Sequence, residues 1–312
     1  MHTSENGRQA PSVEQRSFIS FDGTPIGYQV CGNPDGVPLL LANGVGATVT
    51  AYRFIIHRFS HVFRFYAWDY RGMYTSGRPL GGYDAMTVEH HARDGIALLA
   101  HENIGRTFAF GWSMGVQVLL EMMRSVEDQI EGLVLHNGVA GSLYRNVDGP
   151  PALEYLLPKT IRGLQRADRW VSRLVRWAVE SPLLIPVGSR VGLVHPALDE
   201  GVFRDIARNF KELDMHLYLE ALRRLGEHDA SDILAALRVP TLLLASTHDQ
   251  MTPLGAAERM SERIEDSELR VIPNGTHYAA VEFPELINRH LEEWFARRFP
   301  VLAIGEERQA IS

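Results

Sequence analysis

Apolar residues follow two patterns along the chain, and each pattern predicts a different kind of element. The runs at residues 37–42 and 132–135 are continuously apolar, which is typical of strands covered on both faces of a parallel sheet. Longer segments between such runs repeat apolar residues at the spacing of an amphipathic helix. The alternation of the two patterns predicts an α/β fold with a doubly wound, mostly parallel sheet.

Eight segments fit the strands of this sheet, and four long segments fit helices that flank it. The predicted strands are residues 17–21, 26–30, 37–42, 62–68, 107–111, 130–136, 241–246 and 268–272. The predicted helices are residues 86–102, 114–125, 254–264 and 284–297. The early strands suit an antiparallel hairpin.

Between the sixth and seventh predicted strands, residues 141–237 are helical in pattern and contain no convincing strand. Ligand sites in such sheets lie beyond the carboxyl ends of the strands, and this segment leaves just after one of them. It is therefore expected to form a helical cap over the site, with residues 17–140 and 238–299 as the core. Residues 1–16 are polar and predict a disordered tail, and residues 300–312 a C-terminal tail.

Composition narrows the function classes. The chain has 312 residues, enough for one large catalytic domain with an insert, and its net charge of -7 argues against a nucleic-acid binder. Cys31 is the only cysteine, which excludes an intrachain disulfide and predicts a reducing, cytoplasmic location. No apolar run approaches the ~20 residues that a transmembrane helix needs.

The strongest candidate for chemistry lies between an apolar strand and a helix, in the run Gly111-Trp112-Ser113-Met114-Gly115. A strand-to-helix turn of Gly-x-Ser-x-Gly form, a nucleophile elbow, holds a serine in a strained conformation. Small residues are needed two positions either side because a Cβ there would clash. Backbone N–H groups at the helix start favour a developing oxyanion. Ser113 is therefore predicted to be a nucleophile rather than a helix N-cap serine.

A serine hydroxyl needs a base, and the base needs a carboxylate that orients it. His277 follows the last predicted strand, and it is the only one of the 13 histidines at that place. Asp249 follows the seventh strand, and Thr252 with Pro253 is expected to cap the next helix. The loop at residues 136–140 has no carboxylate. Asp249 and His277 are therefore predicted to complete a catalytic triad, in the order serine, acid, histidine.

These motifs resemble the α/β-hydrolase superfamily, specifically its capped serine carboxylesterase and lipase-like branch, over residues 18–299. Members usually carry His-Gly after the third strand, where this chain has Asn43-Gly44-Val45. The resemblance implies that the backbone N–H groups of Val45 and Met114 form an oxyanion hole. Asn43 in place of histidine changes what surrounds that hole.

A second stretch, residues 69–76, resembles the family's Asp-x-Arg-Gly-x-Gly-x-Ser loop. Tyr74 stands where glycine is usual, and Asp69 and Arg71 are expected to hold the loop in place. Together with Asn43 and Trp112, Tyr74 is a candidate substrate-pocket residue.

The predicted cap carries a row of arginines whose spacing places them in one stripe of a single helix. They are Arg162, Arg166, Arg169, Arg173 and Arg176, with Leu164, Val171, Leu174, Val175 and Ala178 on the opposite side. The row is either a solvated face or a docking stripe for an anionic carrier or surface, such as an acyl-carrier protein, a coenzyme A tail or lipid headgroups. Apolar residues in the range 183–194 suggest a hydrophobic pocket.

The predicted function is hydrolysis of a carboxylic ester of a small to medium hydrophobic substrate through an acyl-enzyme, with no cofactor and no metal. Thioester or acyl-carrier ester hydrolysis would use the same residues. Carbon–carbon bond hydrolases and perhydrolases keep the serine and are further alternatives. Epoxide hydrolases and haloalkane dehalogenases use aspartate where Ser113 stands, which disfavours them. A non-enzymatic ligand receptor is disfavoured because candidates for all three triad positions are present.

Overall fold

The computed structural model describes residues 12–146, 152–302 and 304. Its eight strands form one sheet with the order first, second, fourth, third, fifth, sixth, seventh, eighth. The second strand is antiparallel to both neighbours, and the third to eighth are parallel. The strands are β1 (Glu14–Ile19), β2 (Pro25–Gly32), β3 (Val37–Ala42), β4 (Phe63–Trp68), β5 (Thr107–Trp112), β6 (Ile130–His136), β7 (Thr241–Ser246) and β8 (Ser267–Ile272). The predicted fold class is thus confirmed.

Twelve α-helices flank this sheet or extend beyond it in the described part of the chain. They are α1 (Arg53–Phe59), α2 (Val88–His101), α3 (Met114–Val126), α4 (Leu143–Asn146), α5 (Ala152–Arg166), α6 (Asp168–Glu180), α7 (Leu184–Arg190), α8 (Glu200–Asn209), α9 (Met215–Glu227), α10 (Leu254–Arg263), α11 (Ala279–Glu282) and α12 (Pro284–Arg298).

The continuously apolar strands have side chains on both faces of the sheet. Leu40 and Ala42 of β3 join a core cluster with α2 and α3, whereas Leu39 and Leu41 join a second cluster with α1 and α12. Successive side chains of a strand point to opposite faces, so a strand covered on both sides is apolar along most of its length. Because β5 to β8 run parallel to one another, the carboxyl ends of β5, β7 and β8 lie at one edge of the sheet.

The first strand begins earlier than the sequence suggests. β1 starts at Glu14, inside the stretch predicted to be a tail, and pairs with β2 from Glu14 opposite Val30. Arg16 forms ion pairs with Glu14 and Glu102. Polar side chains on an exposed edge strand have the composition of a tail, which explains the difference. The predicted tail residues 1–11, 303 and 305–312 lie outside the described residues.

Helices α4 to α9 lie between β6 and β7, and the described residues of this segment contain no strand. We refer to residues 141–237 as the helical insert. Leu217 of α9 joins the core cluster of α2 and α3, and Phe203 of α8 joins the cluster of α1 and α12. The inner sides of α5 and α6 pack on α9 through Ile161 and Val175. The insert therefore packs against the sheet domain through α8 and α9.

The five arginines of the insert do not lie on a single helix, so the predicted single stripe is wrong. α5 ends at Arg166 and α6 begins at Asp168, with Ala167 between them at φ -109° and ψ 21°. An acidic residue favours the start of a new helix, and Asp168 stands in the first turn of α6. Leu174, expected on the buried side, is 61% exposed.

Among the described helices, none is long and apolar enough to cross a bilayer. Cys31 is free and buried, and the cytoplasmic location stays a prediction.

Candidate active site

Ser113 lies in a sharp turn between the end of β5 and the start of α3. Its backbone has φ 57° and ψ -118°, a strained conformation for a residue with a side chain. A Cβ on Gly111 would lie 2.6 Å from the carbonyl oxygen of Gly115, and one on Gly115 would lie 2.0 Å from that of Ala42. The two glycines of the motif are therefore a steric requirement of this turn.

The three predicted triad side chains form one chain of hydrogen bonds. Nε2 of His277 lies 2.9 Å from Oγ of Ser113, and Nδ1 lies 2.8 Å from Oδ2 of Asp249. Because an ionised carboxylate only accepts hydrogen bonds, Nδ1 carries the proton and donates it to Asp249. Nε2 is then the acceptor that faces the serine hydroxyl, which is the arrangement that general-base activation requires.

Asp249 is buried and held by the loop that follows β7. Its carboxylate accepts the backbone N–H groups of Met251 at 2.8 Å and Thr252 at 2.9 Å, and the Thr252 hydroxyl at 2.6 Å. Burial acts to raise the pKa of Asp249, but the electrostatic interaction and hydrogen bond with His277, together with the hydrogen bonds from Thr252, hold that pKa below its ordinary value. Thr252 was expected to cap α10; that helix has no side-chain cap, because the threonine binds Asp249 instead.

The loop that carries His277 is fixed by two side chains that sequence reasoning did not single out for this role. The amide of Asn137 donates to the carbonyl oxygens of Thr276 at 2.9 Å and His277 at 3.3 Å. Nε1 of Trp112 donates to the carbonyl of His277 at 3.0 Å. Asn137 has φ 42°, a value that asparagine tolerates better than most residues. An asparagine directly after a buried strand is therefore the one feature of the sequence that could have indicated this role.

Glu282 connects the same loop to the helical insert. Its buried carboxylate accepts the backbone N–H of Thr276 at 2.8 Å and the Thr276 hydroxyl at 2.5 Å. It also accepts the backbone N–H of His195, in the insert, at 2.8 Å. The residue before His277 and the insert thus share one carboxylate.

The loop after β3 lies directly against the predicted nucleophile. A Cβ on Gly44 would lie 3.3 Å from Cβ of Ser113. Among the described residues, neither the N–H of Val45 nor that of Met114 donates to another protein group. Both predicted oxyanion donors are thus unoccupied by the protein itself.

Three tyrosine hydroxyls hold the carbonyl groups of this loop. The pairs are Tyr52 with Ala42 at 2.6 Å, Tyr70 with Asn43 at 2.6 Å, and Tyr74 with Gly46 at 2.5 Å. Burial raises the pKa of each of these phenols, so each stays protonated and able to donate. Tyr74 has φ 48°, a backbone region that glycine prefers, and its hydroxyl reaches across to the loop.

The predicted pocket residues have different surroundings. Asn43 is fully buried, and its amide donates to the carbonyl of Trp68 at 3.2 Å, so its side chain faces away from solvent. Trp112 lines a small apolar cavity beside the ring of His277. Sequence reasoning missed Tyr218 of α9, whose ring would lie 2.8 Å from a Cβ on Gly46. Nothing local marks it, because only the packing of the insert brings it there.

The apolar residues of the insert that were expected to form a pocket divide into three groups, and Leu184 and Leu193 are half-buried. Ile185 and Val194 are buried, whereas Leu183 and Val191 are 58% and 60% exposed. The exposed members therefore face solvent.

Asp69 and Arg71 are both buried, and each has its own partners. Arg71 forms a bidentate ion pair with Asp94 at 2.8 and 2.7 Å, while Asp69 accepts the hydroxyl of Thr75 at 2.5 Å. In the described ranges, no group of three His, Cys, Asp or Glu side chains is arranged to hold a metal ion.

Comparisons with known proteins agree with this architecture. A family profile described as alpha/beta hydrolase fold matches residues 37–284. The chain is 24% identical over 297 residues to 3-oxoadipate enol-lactonase 2 of Acinetobacter baylyi, covering 93% of this chain and 99% of the relative. It is 24% identical over 278 residues to a non-heme haloperoxidase of Rhodococcus erythropolis, covering 86% and 95% of the two chains.

Among solved structures, an esterase from Exiguobacterium antarcticum has the same fold. It superposes with a TM-score of 0.73 at 20% identity, covering 89% of this chain and 98% of that one. The profile match spans more than half of the chain, and the strand order, the elbow and the flanking helices accord with it. The chain therefore belongs to the alpha/beta hydrolase fold family, and it is a hydrolase enzyme.

Proposed function

We propose that this hydrolase cleaves a carboxylic ester of a small to medium hydrophobic substrate through a covalent acyl-enzyme at Ser113. The observation that carries the proposal is the unbroken chain of hydrogen bonds from Ser113 through His277 to Asp249. The unoccupied N–H groups of Val45 and Met114 supply the second requirement, a site for the oxyanion.

In this mechanism, Oγ of Ser113 attacks the ester carbonyl carbon while its proton passes to Nε2 of His277. The carbonyl oxygen becomes an oxyanion and accepts hydrogen bonds from the N–H groups of Val45 and Met114. His277 then gives the proton to the departing alcohol oxygen, which leaves an acyl ester on Ser113. A water molecule repeats the sequence, with His277 as its base, and releases the acid and the free serine. Asp249 stabilises the positively charged imidazole throughout.

We further propose that the helical insert is a cap over this site. Tyr218 and Leu213 of the insert lie against Gly46, next to the proposed oxyanion donor Val45. Tyr278, which follows His277, packs on Trp112 and on Phe203 of the insert with ring centroids 5.7 and 5.1 Å apart. These aromatic walls favour an apolar acyl or alcohol group. Relatives described as an enol-lactonase and an esterase support an ester as the substrate class.

Other reactions on the same three residues need separate assays. Thioester hydrolysis, including that of carrier-linked acyl groups, differs only in the leaving group. Perhydrolysis would place hydrogen peroxide where water attacks the acyl-enzyme, and the similarity to a non-heme haloperoxidase makes it worth testing. Matched oxygen esters and thioesters, and peroxide-dependent halide oxidation, would distinguish these reactions from the proposed one.

The first test is labelling with a fluorophosphonate probe, followed by mapping of the adduct by mass spectrometry. We expect one adduct, on Ser113, and none in Ser113→Ala. Folded protein that is not labelled at Ser113 would contradict the proposed nucleophile. A series of p-nitrophenyl esters of rising acyl length should then show rising kcat/KM up to the capacity of the pocket.

A matched pair of histidines tests the base. His277→Ala should abolish ester hydrolysis, whereas His248→Ala, an exposed neighbour of Asp249, should leave it unchanged. Equal losses in both variants would contradict the assignment of His277.

A further inference from the structure

The outer surface of α6 carries two parallel rows of exposed side chains. Trp170, Leu174 and Trp177 are 71%, 61% and 67% exposed, and their spacing places them on one line of the helix. Arg169, Arg173 and Arg176 are also exposed and form the adjacent line. We call these six residues the basic–aromatic face.

This face is not needed to fold the insert. The inner side of α6 packs on the α9 cluster through Val171 and Val175. The other three tryptophans of the chain, Trp68, Trp112 and Trp294, are buried, so both exposed tryptophans lie on α6. Among the residues that the structure describes, nine of the 17 exposed large hydrophobic side chains fall between residues 155 and 191. Such a concentration of exposed apolar residues marks an interaction surface.

The charge of the same segment is opposite to that of the whole protein. Residues 155–191 hold seven basic side chains against two acidic ones, a local net charge of +5 in a chain of net charge -7. Those two carboxylates are engaged elsewhere, Asp168 with His216 and Glu180 with Lys211. Among the described residues, no carboxylate pairs with the arginines of the basic–aromatic face. The face therefore offers unneutralised positive charge to a partner.

We propose that the basic–aromatic face docks the protein on an anionic phospholipid bilayer. Tryptophan and leucine side chains enter the headgroup region of a bilayer, while arginines beside them bind lipid phosphates. A second copy of the chain fits less well, because a symmetric contact would bring two arginine rows together. Highly exposed side chains can enter a deformable lipid bilayer, whereas a protein partner would need a groove shaped to receive them. Docking of this kind does not depend on which ester the enzyme hydrolyses.

The test is co-sedimentation of the full-length protein with two kinds of lipid vesicle, one of phosphatidylcholine and one of mixed phosphatidylglycerol and phosphatidylcholine. We expect binding to the anionic vesicles only, with a blue shift of tryptophan fluorescence. Each arginine near an anionic surface contributes about fivefold in affinity, so R169Q/R173Q/R176Q should bind roughly 100-fold more weakly. W170Q/W177Q should lose the blue shift.

The matched control is R53Q/R106Q/R238Q, which removes the same charge from exposed positions elsewhere in the chain. This control should bind nearly as tightly as the natural protein. The proposal fails if anionic vesicles do not sediment the folded protein, or if both arginine triples weaken binding equally. It also fails if W170Q/W177Q binds normally but changes the oligomeric state, since the face would then contact a second copy. Fluorophosphonate labelling and circular dichroism report folding of each variant independently of lipid.

Discussion

Tyr74→Phe removes one hydroxyl group and tests whether the loop after β3 must be held for catalysis. The hydroxyl donates to the carbonyl of Gly46 at 2.5 Å, one residue beyond the proposed oxyanion donor Val45. The phenylalanine ring can occupy the same half-buried position, so the main change is the lost donor. Gly46 has φ 70°, and its peptide groups can rotate if nothing holds them.

The size of the effect follows from the cost of leaving one partly buried carbonyl unpaired, about 1–3 kcal/mol. If the loop conformation that points the N–H of Val45 at the substrate loses this much stabilisation, kcat should fall about 5- to 150-fold. KM for a simple ester should change little, because oxyanion contacts form mainly in the transition state.

The assay compares steady-state kinetics and thermal unfolding of Tyr74→Phe with those of Tyr28→Phe. Tyr28 also donates its hydroxyl, to Glu102, the residue that follows α2, and its ring lies against Phe18 and His101. Both variants should lose a similar amount of stability, but only Tyr74→Phe should lose kcat. If Tyr74→Phe is destabilised like the control and keeps the natural kcat, the tyrosine is a structural tie and the reasoning is refuted.

Three further changes have defined outcomes. Asp249→Asn should lower kcat about 10⁴-fold through the wrong histidine tautomer, measured with a p-nitrophenyl ester. Because the pKa of Asp249 is held below 3.8, the stability from its ionisation is complete above that pH and is lost only in more acidic solution. Urea unfolding of the natural protein between about pH 5 and 7 should therefore show no loss from this group. Arg71→Gln should cost about 3–5 kcal/mol in urea unfolding, since it strands a buried carboxylate, whereas Arg124→Gln at a surface pair should cost under about 1 kcal/mol. Gly115→Ala should unfold or inactivate the protein, because the new Cβ would lie 2.0 Å from a backbone oxygen. Gly163→Ala is the control: it has open space around it and should stabilise α5 by roughly 0.5–1 kcal/mol. Equal stability of the two glycine variants would contradict the steric argument.

The sheet was predictable because its signals are local and strong. Every buried parallel strand is apolar at consecutive positions, and the turn around Ser113 must carry glycine on each side. The order of Ser113, Asp249 and His277 along the chain follows from the order of the strands that precede them. Each of these features can be recognised from residues that are close together in the sequence.

The parts that the sequence did not reveal depend on residues far apart in the chain. Tyr74 could be recognised as unusual but not as a donor to Gly46, because 28 residues separate the two. Asn137 binds a loop 139 residues further on. The spacing of the arginines does not reveal the break at Ala167. The same spacing continues across this single non-helical residue, so one helix and two helices give the same sequence pattern.

The carboxylate of Glu282 has a consequence for how this protein can be re-engineered. It bonds at once to Thr276, beside His277, and to the backbone of His195 in the insert. The insert therefore cannot be exchanged freely for that of a relative. An insert without a backbone N–H at the position of His195 would leave the buried side chain of Glu282 with one hydrogen bond fewer. The same side chain binds Thr276, the residue before His277. The part of the insert that can be exchanged therefore ends with α7. Chimeras that keep residues 193–199 together with the sheet domain should retain an ordered His277.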